Sequence, residues 1–471
     1  MSFKFAALAL LAVFPYDTPD ITSSNCLVDS YYGTYGTQSV FLPDLSCPFF
    51  VTSDASAPTI FQPQSDHQLV WVEQAAVEER LHDATASFEP SNIARYIQAL
   101  SYIQTLGASG AQNGQQPLAL SQPEAAVLHH TSTSALLSLP TFYAQRLSLV
   151  LPATWRIYAL PDEPVPFIPV AEPAVARVRN LLSTLKFDPL VAKVVNNISV
   201  AQIHNDIRWL TGEDDKSGIE SRHSFSDGAL TAAGWLKVRF EETGATCELR
   251  PFLNGFAPNV ICRYPSTVNT TATVLISAHY DSRGSFGSTR APGGDDDGSG
   301  TTGLLSIART IARTGLTFRS NVEIVAFAGE EQGLYGSRFY AQDLREENKN
   351  LTLMIQADMT AYHAPGEPPQ LGLPDRIGTP EVTQLVANIS AIYSPELKVG
   401  ITPACCSDHQ SFHQQGFPAT QVFERAGPIA DPMYHNSGDL SDREGYDVEQ
   451  LKSIAKVQFA TLLHAAGFDL P

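Results

Sequence analysis

The chain has 471 residues, 43% of them hydrophobic and 17% charged, and its 49 acidic and 30 basic residues give a formal net charge of −19. This is the composition of a folded globular chain, and the acidic balance excludes nucleic acid and anionic membrane surfaces, both of which are held by Lys and Arg. At roughly 150 residues per domain the length allows about three domains, although α/β enzymes often place about 250 residues in one.

The first apolar run, Phe5 to Phe14 behind Lys4, is far shorter than the ~20 residues of a membrane span. It reads as a signal-peptide core over residues 1–15 without a clean small-x-small cleavage site, and a short buried segment is the competing reading. Residues 16–66 are rich in Ser, Thr, Pro and Tyr and show no period, which predicts irregular structure closed by Cys26 and Cys47. From Val70 to Leu81 and from Asn92 to Leu106, apolar residues recur at three- and four-residue steps and predict two amphipathic helices. Residues 16–160 therefore form a smaller, partly helical region, either a propeptide or an accessory unit. Five prolines between Pro161 and Pro173 exclude helix and central strand, so 161–173 is read as a linker.

Beyond it, residues 174–471 alternate strand and helix. Helical periodicity at Val200–Leu210 and Ala229–Phe240 precedes strand-like runs at Thr246–Pro251, Asn259–Tyr264 and Thr273–Ala278, the first two joined through Asn254-Gly255. A helix around Leu304 to Ile311, a buried strand 322–328, a helix near Gly333 to Leu344, a second buried strand 351–357 and a final helix Val448–Ala465 follow. Nearly uncharged strands between amphipathic helices predict an α/β fold, a three-layer αβα sandwich around a mixed, mostly parallel sheet.

The six cysteines and four N-x-S/T sequons, at Asn197, Asn269, Asn350 and Asn388, point to a secreted glycoprotein, with a vacuole or another secretory lumen as second choice. The natural pairs are Cys26 with Cys47 and Cys247 with Cys262, the latter on adjacent strands. Cys405 and Cys406 either close a strained ring with each other or leave Cys406 free.

In a parallel sheet, ligands bind beyond the carboxyl ends of the strands. Five candidate positions fall there in order: His279-Tyr280-Asp281, Asp295-Asp296-Asp297, Glu330-Glu331, Asp358 and His435. Each alone is commonplace, and the three adjacent aspartates lack the alternation of a calcium loop. Together they supply imidazole, carboxylate, a carboxylate pair, carboxylate and imidazole at one sheet edge, a set of metal-ligand types.

The segments AHYDS (278–282), PGGDDDGSG (292–300), AGEEQGLYGS (328–337), QADMTAY (356–362) and CSDHQSF (406–412), followed by His435, resemble the two-zinc aminopeptidase family of secreted bacterial and fungal leucyl aminopeptidases. The resemblance covers roughly residues 195–468. It implies a monomeric zinc exopeptidase acting on peptides with a free, preferably apolar N-terminus. It also implies that Asp296 bridges two Zn²⁺ ions, with His279 and Asp358 completing one site and Glu331 and His435 the other. Three carboxylates and one hydroxide then balance two dications, which a low-dielectric cleft requires. Glu330 is left as the general base acting on a bridging water, and Asp281 orients His279. A cis peptide between Asp296 and Asp297, and a side-chain pocket lined by Met359, Phe423 and Tyr434, are implied in the same way. Three alternatives stay open: a glutaminyl cyclase on this fold, disfavoured by the complete two-metal set; a carboxypeptidase, if Arg425 points into the cleft and binds a C-terminal carboxylate; and a non-catalytic zinc-binding ectodomain.

Overall fold

The computed structural model describes residues 8–16, 18, 24–47, 59–82, 88–108, 125–165, 168–404 and 406–471. The chain divides into two compact units, Met1–Ala75 with His82–Ile168, and Ala76–Leu81 with Pro169–Pro471. Of the residues read as a linker, those described take no helix or strand until a helix begins at Glu172.

The N-terminal unit is mainly β. One sheet has the order β2-β3-β1-β4, built from β1 (Ala9–Pro15), β2 (Tyr31–Tyr35), β3 (Gln38–Phe41) and β4 (Thr59–Phe61); a second has the order β6-β7-β5-β8, from β5 (His67–Gln74), β6 (Ala126–His130), β7 (Ser134–Pro140) and β8 (Trp155–Ala159). The described part of the apolar run read as a signal-peptide core is thus strand β1, with Leu10, Leu11, Ala12 and Phe14 buried. The helix expected from Val70 is absent. Residues there pair antiparallel with both β7 and β8, and Val70, Trp71 and Val72 are all buried. A strand covered on both faces shows a continuous apolar run instead of alternation, and that run was misread as helical. The second expected helix does form, as Pro90–Ala108, and places Ile93, Ile97 and Leu100 in the core of the unit.

The second unit is built around a six-stranded sheet of order β17-β14-β11-β13-β10-β9. Its strands are β9 (Thr246–Arg250), β10 (Asn259–Tyr264), β11 (Thr273–His279), β13 (Asn321–Phe327), β14 (Leu351–Ala357) and β17 (Ala419–Val422). The four from β17 to β13 run parallel, β10 runs antiparallel to β13, and β9 antiparallel to β10. β12 (Thr317–Phe318) pairs with β18 (Phe468–Asp469), and β15 (Gln370–Pro374) with β16 (Lys398–Thr402). Alternate residues of the central strands feed two cores. Val274, Ile276 and Ala278 pack with the helices Gly298–Thr314 and Val448–Ala466, while Leu275, Val325 and Phe327 pack with Tyr340 and Leu344 of the helix Tyr335–Glu346. Every residue of β11 and β14 is buried, which is why these strands read as unbroken apolar runs and why the layers are three.

Cys26 is bonded to Cys47 and Cys247 to Cys262, the second pair directly opposite in the β9–β10 register. Cys406 is also disulfide-bonded, so it is not the free thiol weighed as an alternative; Cys405 lies outside the described residues. Asn197 and Asn269 are exposed, whereas Asn388 sits inside the helix Pro380–Tyr393 with Ser390 of its sequon fully buried.

Candidate functional site

Because β11, β13 and β14 are parallel, their carboxyl ends open on one side of the sheet. His279 is the last residue of β11, Asp358 follows β14, and Glu330 and Glu331 lie in the turn after β13. Asp296 precedes the helix Gly298–Thr314, and His435 lies on the segment between β17 and the helix Val448–Ala466. All of these residues are buried.

They converge as two trios. His279, Asp296 and Asp358 each bring one ligand-type atom within 4.8 Å of the others, and Asp296, Glu331 and His435 do the same. Asp296 belongs to both. Its Oδ1 lies 3.3 Å from His279 Nε2 and its Oδ2 3.3 Å from His435 Nε2; His435 Nε2 is 3.0 Å from Glu331 Oε2, and His279 Nε2 is 3.8 Å from Asp358 Oδ1. Glu330 stands beside the trios, its Oε2 4.0 Å from His279 Nε2. The Asp296–Asp297 peptide is cis.

The electrostatics follow from burial and mixed charge. Burial alone would raise the Asp296 carboxyl, but the two imidazoles outweigh it and hold it well below the ordinary range. Burial would lower His279, yet Glu330, Asp281, Asp296 and Asp358 push it well above its usual value. His435 is raised in the same way, chiefly by Glu331 once the opposing effect of burial is met.

A ring of residues, of which the sequence reading named only Asp297, fixes these positions. Asp297 accepts from the backbone N–H of His279 at 3.0 Å with one oxygen, and from those of Gly300 at 2.9 Å and Met359 at 3.1 Å with the other. Asp439 accepts from the N–H groups of Asp295 and Asp296. Arg222, wholly buried, donates to the carbonyls of Tyr280 at 2.7 Å, Leu210 at 3.0 Å, Gly293 at 2.8 Å and Pro292. It thereby ties the residue after His279 to the turn before Asp296. Two glycines of PGGDDDGSG are required by this crowding: a β-carbon at Gly293, whose φ is +54°, would stand 2.4 Å from Asp296 O, and one at Gly300 would stand 2.5 Å from Asp297 Oδ1. Asp297, the third of three aspartates, and Asp439, four residues past His435, were visible as acids. Arg222 carries no local signal, since its partners are distant carbonyls.

Asp281 Oδ1 lies 3.5 Å from His279 Nδ1, and its oxygens accept from Ser224 Oγ at 3.1 Å and from the N–H groups of Glu330 and Glu331 at 3.3 Å each. Met359 and His435 adopt φ of +51° and +53°, a left-handed conformation that costs a non-glycine residue roughly 1 kcal/mol and is kept where surrounding contacts enforce it. Tyr434 stacks on His435 with ring centroids 3.8 Å apart, and Phe423 is buried beside Gly372, with which it exchanges two backbone hydrogen bonds. Arg425 is fully engaged: Nε and Nη2 grip Glu367, Nη2 also meets Glu78, and Nη1 donates to Pro428 O. Each of its three nitrogens already meets a protein group, so Arg425 is committed to holding Glu367, Glu78 and the Pro428 carbonyl.

Residues 259–462 match the model of Peptidase family M28. A probable leucine aminopeptidase of Arthroderma otae is 29% identical over 289 residues, which cover 58% of this chain and 72% of that protein. Leucine aminopeptidase 1 of Sclerotinia sclerotiorum is 27% identical over 276 residues, 54% of this chain and 68% of that one. The crystal structure of the LapA aminopeptidase of Legionella pneumophila superposes with a TM-score of 0.57 at 17% identity, over 85% of this chain and 98% of that one, a likeness of fold. With its zinc-exopeptidase-like sheet and converging acids and histidines, the chain carries a Peptidase family M28 domain over residues 259–462 and is a hydrolase acting on peptide bonds.

Proposed function

We propose that the protein is a two-zinc aminopeptidase that removes apolar residues from the N-terminus of peptides, with His279, Asp296 and Asp358 holding one ion and Asp296, Glu331 and His435 the other. The observation that carries this reading is the pair of trios sharing Asp296, with Glu330 beside them and in neither. The donor set fits the ion, because zinc takes mixed imidazole and carboxylate ligands. So does the pairing: His279 Nε2 and Glu331 Oε1 are buried without a hydrogen bond, a costly state for groups of this kind unless a cation meets them. Bound there, zinc supplies a Lewis acid for the scissile carbonyl and lowers the pKa of a water.

The chain's own residues do the rest. Glu330 takes a proton from the attacking water and delivers it to the leaving amine. Asp281 holds His279 from behind, and because it also accepts from the Glu330 and Glu331 amides, one carboxylate orients a ligand, the base and a second ligand. The substrate's α-ammonium docks against Glu330 and Asp358, and Met359, Phe423 and Tyr434 wall the apolar side-chain pocket. The two disulfides and the bonded Cys406 support residence in an oxidising compartment, outside the cell or in a secretory lumen.

The test is a mass-spectrometric time course on one leucine-led peptide, offered with a free and with an acetylated N-terminus, with and without chelator, for the parent and Glu330→Ala. Stepwise N-terminal loss from the free peptide alone, abolished by chelator and restored by zinc, is expected. Glu330→Ala is expected to keep its metal and lose about 10²–10⁴-fold in kcat. Trimming of the acetylated peptide, or full activity of Glu330→Ala, overturns the reading.

A further inference from the structure

Ala76–Leu81 lies in sequence between β5 and the helix Pro90–Ala108, yet it belongs to the peptidase unit. Its partner is the middle of the segment Phe423–His435, which carries Phe423 and Tyr434 of the proposed pocket and the ligand His435. Val77 forms a parallel bridge with Ile429: Glu78 N–H donates to Ile429 O at 2.8 Å and Ile429 N–H to Ala76 O at 2.8 Å. Both bridging side chains are buried. Glu78 Oε1 pairs with Arg425 Nη2 at 2.7 Å, and Arg80 Nη2 donates to Ala430 O at 3.0 Å.

The segment's ends are held by other means. Phe423 exchanges hydrogen bonds with Gly372 of β15, at 2.7 and 3.0 Å. Near the far end, Asp431 is gripped by two nitrogens of Arg443 and accepts from Met433 N–H at 2.9 Å. Between these anchors no strand of the main sheet among the described residues pairs with the backbone; at Ile429 it is met by the bridge to Val77. Val77, Glu78 and Arg80 meet the pocket segment at Ile429, Arg425 and Ala430, so a change in Ala76–Leu81 reaches the substrate wall through the backbone of 425–430.

We propose that Ala76–Leu81 is a strap that positions the Phe423–His435 segment, with Glu78 and Arg80 as positioning residues for the substrate pocket. The stretch before the linker is then part of the working enzyme, an accessory element whose removal would impair activity, and not a propeptide whose removal would release it.

The KM arm of the test rests on the aminopeptidase reading above; the second arm does not. In the full-length chain, Glu78→Gln combined with Arg80→Gln removes the charged contacts, and Glu78→Pro removes the bridging N–H as well. Both are expected to raise KM for a leucine-led peptide five- to tenfold while kcat stays within twofold, the pattern of lost binding common to ground and transition states. Independently of any activity, trypsin is expected to cut after Arg425 at least tenfold faster in the variants than in the parent, as read by peptide mapping. Unchanged KM together with an unchanged cut at Arg425 overturns the strap, as does an equal fall in kcat and kcat/KM at constant KM. A parent that hydrolyses no peptide overturns the aminopeptidase reading and leaves the trypsin arm to decide. Should Glu78→Pro not accumulate as folded protein, the double Gln variant decides alone.

Discussion

The two trios that share Asp296 are built on different kinds of scaffold. His279 and Asp358 sit at the ends of β11 and β14, adjacent parallel strands locked in register from Val274–Leu353 to Ser277–Gln356. Glu331 and His435 sit on connecting segments, His435 in a left-handed conformation. The two imidazoles also have opposite backing: His279 Nδ1 faces the carboxylate of Asp281 at 3.5 Å, whereas His435 Nδ1 meets the guanidinium of Arg283 at 3.0 Å. A carboxylate behind an imidazole raises its basicity as a ligand, and a guanidinium, which only donates, works against it. One half of the site is therefore preformed by the sheet and electronically favoured, and the other depends on long-range packing.

The comparison can be broken most severely at the residue both halves share. Asp296→Asn is expected to abolish binding of both ions and to cut peptide hydrolysis by at least about 10³-fold, as measured by elemental analysis beside turnover; retention of one full equivalent of zinc would mean that the halves are independent. A finer cut compares Asp358→Asn with Glu331→Gln. If the strand-borne half holds its ion more tightly, stepwise chelation of the parent removes one equivalent well before the other, and Asp358→Asn loses the late-leaving ion while Glu331→Gln loses the early one. The reverse assignment would show that Arg283 does not weaken the loop-borne half.

The smallest effect concerns the metal-free protein. Burial, the largest cause in each case, raises the carboxyls of Asp408 and Asp439 to about 7 and those of Asp295 and Asp431 to about 6. In the unfolded chain such groups ionise near 4. Between about pH 4 and 7 the unfolded chain has thus released protons that the folded chain keeps, so stability falls as pH rises. His279 and His435, raised overall by the acids around them despite burial, act with the same sign, because the stabilisation of their charged forms is lost as pH climbs through the folded pKa. Calorimetry in chelator is expected to give a lower thermal midpoint at pH 8 than at pH 5.5, with the difference shrinking once zinc is restored. A midpoint that rises over this range would contradict the burial-driven shifts.

What could be read from sequence followed the same division. The strand-borne candidates announce themselves because β11 and β14 are covered on both faces and stop abruptly at polar residues, so a local pattern marks both strand and site. Helix Val200–Leu210 and strand Leu351–Ala357 were bounded correctly for a similar reason, a clean period with clear ends. The same cue failed at Val70–Leu81, where a central strand covered on both faces imitated a helical stripe. The short strands β15, β16 and β17 went unseen. Arg222 and the fate of Arg425 could not be read at all: what each arginine does is set by carbonyls and carboxylates brought to it by the fold, Glu367 at 58 positions and Pro292 at 70 among them.

The bridge between Val77 and Ile429 has a consequence for how the protein is made. Arg80 and its acceptor Ala430 are 350 positions apart, and contacts so distant in sequence come late, because the entropy of closing the intervening chain must be met first. On the ribosome the strap emerges early and waits for nearly the whole chain, since domains otherwise fold as they appear. A nascent or interrupted chain that ends short of residue 429 has neither a strapped pocket segment nor His435.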